Sequence, residues 1–91
     1  DGYDFQINTQ SKSLLAEVKG IRAKKGKFRL TENEYDKANE YKDDYILAVV
    51  LNLNNIPNFH IVTNPLKNLK FEEKMIKSKE LKEYHLITEI S

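Results

Sequence analysis

The segment from Tyr45 to Leu51 (Tyr-Ile-Leu-Ala-Val-Val-Leu) carries no polar group on its side chains beyond one tyrosine hydroxyl. With Asn52 as its one interruption it extends to Leu53, and it is rich in β-branched residues. A short, unbroken apolar run of this kind reads as a central strand buried on both faces. It falls far short of the ~20 apolar residues that a membrane helix needs. A strand buried on both faces obliges the rest of the chain to supply its neighbours and its covering layers.

Those neighbours are legible on either side. From Tyr3 to Asn8 the residues alternate, with Tyr3, Phe5 and Ile7 on one face and Asp4, Gln6 and Asn8 on the other, as in a half-buried strand. Thr9 to Lys12 is a polar turn, and Ser13 to Lys19 reads as a second strand. Gly20 to Lys27 is a basic loop, and Phe28 to Leu30 a short third strand. Thr31 and Glu34 have the spacing of a capping box and predict a helix start, followed by Tyr35, Ala38 and Tyr41 as a narrow apolar stripe. Asp43 and Asp44 oppose the helix dipole and belong to the next turn. Beyond the central strand, Asn54 to Asn58 with Pro57 reads as a turn and Phe59 to Thr63 as a strand. Asn64-Pro65 then ends the pairing. The Lys- and Glu-rich stretch from Phe71 to Glu83 predicts a helix with a solvated, mixed-sign face. Tyr84 to Ile90 follows as a strand or as a continuation of that helix.

The order β-β-β-α-β-β predicts a single α/β domain over residues 1–91, a mixed sheet of antiparallel hairpin plus buried strand, flanked by helices. With 91 residues and 40% apolar content the chain is large enough for a core and too apolar for a disordered tail. It has no cysteine, which excludes disulfides and thiolate zinc sites and fits a cytoplasmic location. Lys and Arg number 15 against 14 Asp and Glu, a net charge of +1, so any nucleic-acid contact must come from a local patch. No signal peptide is visible, and the chain opens on Asp1 rather than Met, as expected of a piece of a longer protein with other domains.

Pairing apolar with apolar in the first hairpin sets Phe5 against Ala16 and Ile7 against Leu14. The same register sets Asp4 against Glu17, with Cα atoms about 4.5–5.5 Å apart, and Lys19 one step beyond. Opposed carboxylates repel, and become useful where a hard divalent cation sits between them. Asp4, Glu17 and Lys19 together have the composition of a metal-dependent phosphodiesterase site. A two-residue slip would instead pair Asp4 with Lys19 as an ordinary surface ion pair. Lys19, Arg22, Lys24, Lys25, Lys27 and Arg29 follow one another with no acidic residue between them, which suits contact with phosphates or, equally, a solvated loop. His60 and His85 are far apart in sequence, form no zinc motif, and read as structural.

Gly2-Tyr3-Asp4-Phe5 followed by Glu17-Val18-Lys19-Gly20 resembles the PD-(D/E)xK nuclease superfamily. Adding Phe28 to Glu34, Tyr45 to Leu53 and Asn64-Pro65, the ordered set over residues 2–66 is most similar to the NO VEIN C-terminal domain family. The resemblance implies a restriction-endonuclease-like fold and a metal-dependent endonuclease acting on DNA, as in restriction or defence enzymes. It implies Mg²⁺ or Mn²⁺ held by Asp4, Glu17 and the backbone carbonyl of Val18, with Lys19 at the scissile phosphate. Arg22, Lys24, Lys25 and Lys27 would grip the nucleic-acid backbone, and Gln6, Asn33 and Glu34 are accessory positions. A homodimer is expected, since double-strand cleavage usually takes two sites. The sequence departs from the superfamily signature in having Tyr3, not proline, before Asp4. The further acid that many members carry on a helix ahead of the first strand falls outside residues 1–91. Residues after Pro65 match nothing in the pattern. Two other readings follow from the same residues: a non-catalytic nucleic-acid or protein interaction module of this fold, and a structural α/β domain without nucleic acid.

Overall fold

The computed structural model describes residues 2–91. Seven strands and two helices follow in the order β1 (Phe5–Asn8), β2 (Ser13–Gly20), β3 (Arg29–Thr31), α1 (Glu32–Tyr41), β4 (Tyr45–Leu51), β5 (Asn58–Thr63), α2 (Pro65–Asn68), β6 (Phe71–Ile76) and β7 (Leu81–Leu86). A single 3-10 turn, Lys42–Asp44, joins α1 to β4 and takes up the two aspartates predicted to lie beyond the helix. Strands β1, β2, β4 and β5 form a mixed four-stranded sheet in that spatial order, and β3, β7 and β6 form a second, three-stranded one. β1 runs antiparallel to β2 in the expected register, Phe5 against Ala16 and Ile7 against Leu14. β2 and β4 are parallel, Glu17 beside Leu47 and Lys19 beside Val49. Parallel neighbours need a crossover, and β3 with α1 supplies it.

The core lies between the two sheets and α1. Leu15, Tyr45, Leu47, Val49 and Leu51 enter it from the larger sheet, Leu30 and Tyr84 from the smaller one, and Ala38 from α1. Tyr35, the first residue of the α1 stripe, stacks on Tyr84 with ring centroids 3.7 Å apart and planes 10° from parallel.

Three expectations are corrected. Phe71 to Glu83 is not a helix but most of the hairpin β6–β7. Its alternating charges, which suggested helix-surface pairs, sit opposite each other across the hairpin, Lys74 against Glu83 and Glu72 against His85. Tyr84 and Leu86, two residues apart, point into the core and decide the strand. β4 is fully buried on one face only: Ile46, Ala48 and Val50 are half-buried on a side that no other element among the described residues covers. β1 is not half-buried either, because Phe5 and Ile7 lie on that same open face.

Gly2 is fixed between elements. Its φ is +85°, and a Cβ there would approach the backbone oxygen of Asn33, at the start of α1, to 2.5 Å. Its carbonyl accepts a 2.8 Å hydrogen bond from the Tyr45 hydroxyl. Gly2→Val is therefore expected to cost about 2–4 kcal/mol, from backbone strain and the displaced helix start. Denaturant unfolding measures it, and a cost below about 0.5 kcal/mol would refute this seating.

Candidate active site

Alternation along β2 sends Leu15, Glu17 and Lys19 to the covered face of the sheet, so two charged side chains enter beside the core. Glu17 is only 6% exposed. Lys19 Nζ lies 3.6 Å from Glu17 Oε2 and 2.8 Å from Glu34 Oε1. Glu34 arrives from the first turn of α1. The capping box is formed as predicted, with the Thr31 hydroxyl accepting from the Glu34 amide at 3.2 Å and Glu34 Oε1 accepting from the Thr31 amide at 2.9 Å. The same Oε1 takes the lysine, so Glu34 does more than cap.

Asp4 lies one step ahead of β1. Its amide donates to the carbonyl of Ala16 at 2.9 Å, and its Oδ2 accepts the Val18 amide at 2.8 Å. The carboxylate is thus tied to the β2 backbone between Glu17 and Lys19, and it is not an ion-pair partner of Lys19.

Burial pushes the Glu17 carboxyl up to about 7, and a hydrogen bond to Glu34, the Glu34 charge and the Asp4 charge add to the rise. Lys19 opposes it. Glu34 moves the other way: burial would raise it, but hydrogen bonds to Glu17, Lys19 and the Thr31 amide hold it below the usual carboxylate range. Below about pH 7 the pair therefore shares a proton, carried by Glu17, with the charge on Glu34 beside the lysine. Tyr45 faces the same group from the head of β4. Burial, and then Glu17, Glu34 and Asp4, push its phenol strongly upward and keep it a neutral donor.

Three carboxyls around one ammonium leave a shortfall of positive charge, and all the donors are hard oxygens. The residues fit a hard divalent cation in charge and donor type. Among the described residues no three acidic or histidine side chains converge to hold an ion unaided. Mg²⁺ is commonly held by one or two carboxylates, its shell completed by water and phosphate oxygens.

The remaining predicted positions are dispersed. Gln6 pairs with Leu15 as expected, yet its amide donates to Asn8 and Ser13, away from Glu17. Asn33 is exposed, and its backbone abuts Gly2. Arg22, Lys24, Lys25 and Lys27 are all exposed, but they do not form one patch beside Lys19. Lys24 lies with Asn52 and Asn55 of the β4–β5 loop, and Lys25 pairs with Glu89 at 3.6 Å. Lys27 joins Arg29, Lys74 and His85 around an open cavity of about 300 Å³. The loop is divided because Gly26 bridges to Ile90 while Ala23 bonds to Asn52. His60 is half-buried on β5 with no hydrogen-bond partner on Nε2 among the described residues, and His85 Nε2 lies 3.1 Å from Glu83. Sequence reasoning missed Tyr45 as a member of the site. Its one signal was a hydroxyl at the head of an otherwise apolar strand.

Among the described residues no helix is long and apolar enough to cross a membrane. Neither the curated proteins nor the solved structures hold a significant match to the chain. The family model for the C-terminal region of protein NO VEIN matches residues 1–62, which takes in β1 to β4, β5 up to its last residue, and every carboxyl of the site. The chain belongs to the NO VEIN C-terminal family.

Proposed function

We propose that the chain is a metal-dependent endonuclease domain acting on DNA, with a restriction-endonuclease-like fold, and serves as the cleavage module of a restriction or defence enzyme. The observation that carries this reading is the meeting of Glu17, Lys19 and Glu34 on the covered face of the sheet, with Asp4 tied alongside. The hairpin followed by a crossover to a parallel strand also supports it. Asp4 and Glu17 would hold Mg²⁺ or Mn²⁺, and the resemblance adds the Val18 carbonyl. When bound, such a cation polarises a phosphoryl oxygen and acidifies water. Lys19 would stabilise the charge that builds on the phosphate in the transition state. Glu34 holds the ammonium in place, and Tyr45 keeps the lead segment of Asp4 seated through Gly2. The dispersed lysines and Arg22 would contact the nucleic-acid backbone at several points and add salt-dependent affinity.

With Mn²⁺, the wild-type chain is expected to give binding heat by calorimetry and to nick supercoiled DNA. Asp4→Asn should lose both. A non-catalytic interaction module of the same fold is favoured by the tight Lys19–Glu34 pair, which occupies the ammonium. That reading wins if metal gives no heat while DNA is still retained at low salt.

A further inference from the structure

The smaller sheet gathers charge on the side away from the core. Leu30 on β3 and Tyr84 and Leu86 on β7 are buried in the core, so the alternating Arg29 and His85 point outward. Arg29 stands opposite His85, and His85 opposite Glu72 of β6. Together with Lys27, Lys74 and Ile87 they line the open cavity of about 300 Å³. His85 is on the middle strand. The strands on either side run about 4.7–4.9 Å away, so long side chains from both can reach a group held over its ring. Three permanent cations line the cavity against one carboxylate, Glu72, in a chain whose net charge is only +1. Among the described residues neither Lys27 nor Lys74 has an ion-pair partner. Arg29 and His85 both lean on Glu83, at 3.5 and 3.1 Å, which steadies them beside the cavity.

We propose that this cavity binds a nucleotide unit. Its phosphate sits over His85, between Lys27 and Arg29 on one side and Lys74 on the other. Converging cations on a concave surface favour an anion, and a phosphate accepts several charge-assisted hydrogen bonds at once. A lone carboxylate would repel a bare phosphate, but it accepts a hydrogen bond from a sugar hydroxyl, and Glu72 takes that part. Ile87, 48% exposed, offers an apolar wall to the rest of the ligand. The volume is at the lower end for a small-molecule site, which suits one unit and no longer ligand. The inference stands apart from the cleavage reading, because the cavity opens on the side of the smaller sheet away from the core and the carboxyls beside it. Glu72, Lys74, His85 and Ile87 all lie beyond residue 62, outside the matched region.

Titration of the isotope-labelled chain with adenosine monophosphate, up to millimolar concentration and followed by NMR, is expected to shift the backbone amides of Lys27, Arg29, Lys74 and His85. Arg29→Ala and Lys74→Ala should each weaken binding by about 10-fold with an unchanged circular dichroism spectrum. Lys67→Ala, which removes an exposed lysine of α2, should leave binding as it is. Inorganic phosphate should bind about 10-fold more weakly than the nucleotide, since it lacks the hydroxyl and the apolar body. A short single strand with a terminal phosphate separates the two sources of the unit. Tighter binding at the same amides assigns a strand end, and weaker binding a free nucleotide, and either supports the site. The inference is overturned if these amides do not move, or if Lys67→Ala weakens binding as much as Lys74→Ala. Equal affinity for inorganic phosphate overturns it too, since it would show an adventitious ion only.

Discussion

Glu17→Gln is expected to lower metal-dependent cleavage by about 100-fold or more and, at pH 8, to make the folded chain more stable. The two effects separate because of the site's electrostatics. The Glu17 carboxyl titrates near 7 in the folded chain, above the ordinary 4.5. The folded state therefore holds a proton that the unfolded state releases, and stability falls as pH rises between those values. Above 7 the ionised Glu17 faces Glu34 and Asp4 in a buried setting. Glutamine keeps the shape, removes the charge, and still donates a hydrogen bond to Glu34 as the protonated acid does. The gain at pH 8 should be on the order of 1–3 kcal/mol and should vanish near pH 5. Lys19→Ala moves both quantities downward, since it leaves the Glu34 carboxylate without its cation. Thermal melts from pH 5 to 8, run beside plasmid nicking, distinguish the cases. Wild-type cleavage by Glu17→Gln would sink the mechanism, and a melting curve equally pH-dependent in both proteins would sink the shared proton.

Leu47→Ala should destabilise the chain by about 2–5 kcal/mol. Leu47 is fully buried on β4, next to Glu17 on β2 and Val62 on β5, where no element can collapse into the space left behind. A domain of this size holds only about 5–15 kcal/mol in all, so the variant would be partly unfolded at 37 °C. Ile61→Ala, on the open face two strands from β2, removes a comparable side chain and should cost less than about 1 kcal/mol in the monomer. Equal losses at the two positions, measured by urea titration, would mean that the covered and open faces had been exchanged.

The hairpin register and the capping box were legible because each rests on local spacing: apolar matching in one, and the interval from Thr31 to Glu34 in the other. The site was legible in part for the same reason, since Asp4, Glu17 and Lys19 sit on adjacent strands. Placing Glu34 against Lys19 depends on where a crossover helix lands, which no local pattern encodes. The β6–β7 hairpin was hidden by composition. Its lysines and glutamates favour helix on propensity, and only the burial of Tyr84 and Leu86 against Tyr35 and the core overrides it. The exposure of Phe5 and Ile7 was illegible too, because alternation reveals that a strand has two faces but not whether anything covers the apolar one.

One oxygen of Glu34 closes the first turn of α1 and also receives the lysine. Helix initiation and the arming of the site are in consequence one event. A chain in which that turn has frayed carries a loose ammonium and an unanchored acid, whatever the state of its strands. Loss of the Thr31 hydroxyl would then be felt as a mobile Lys19.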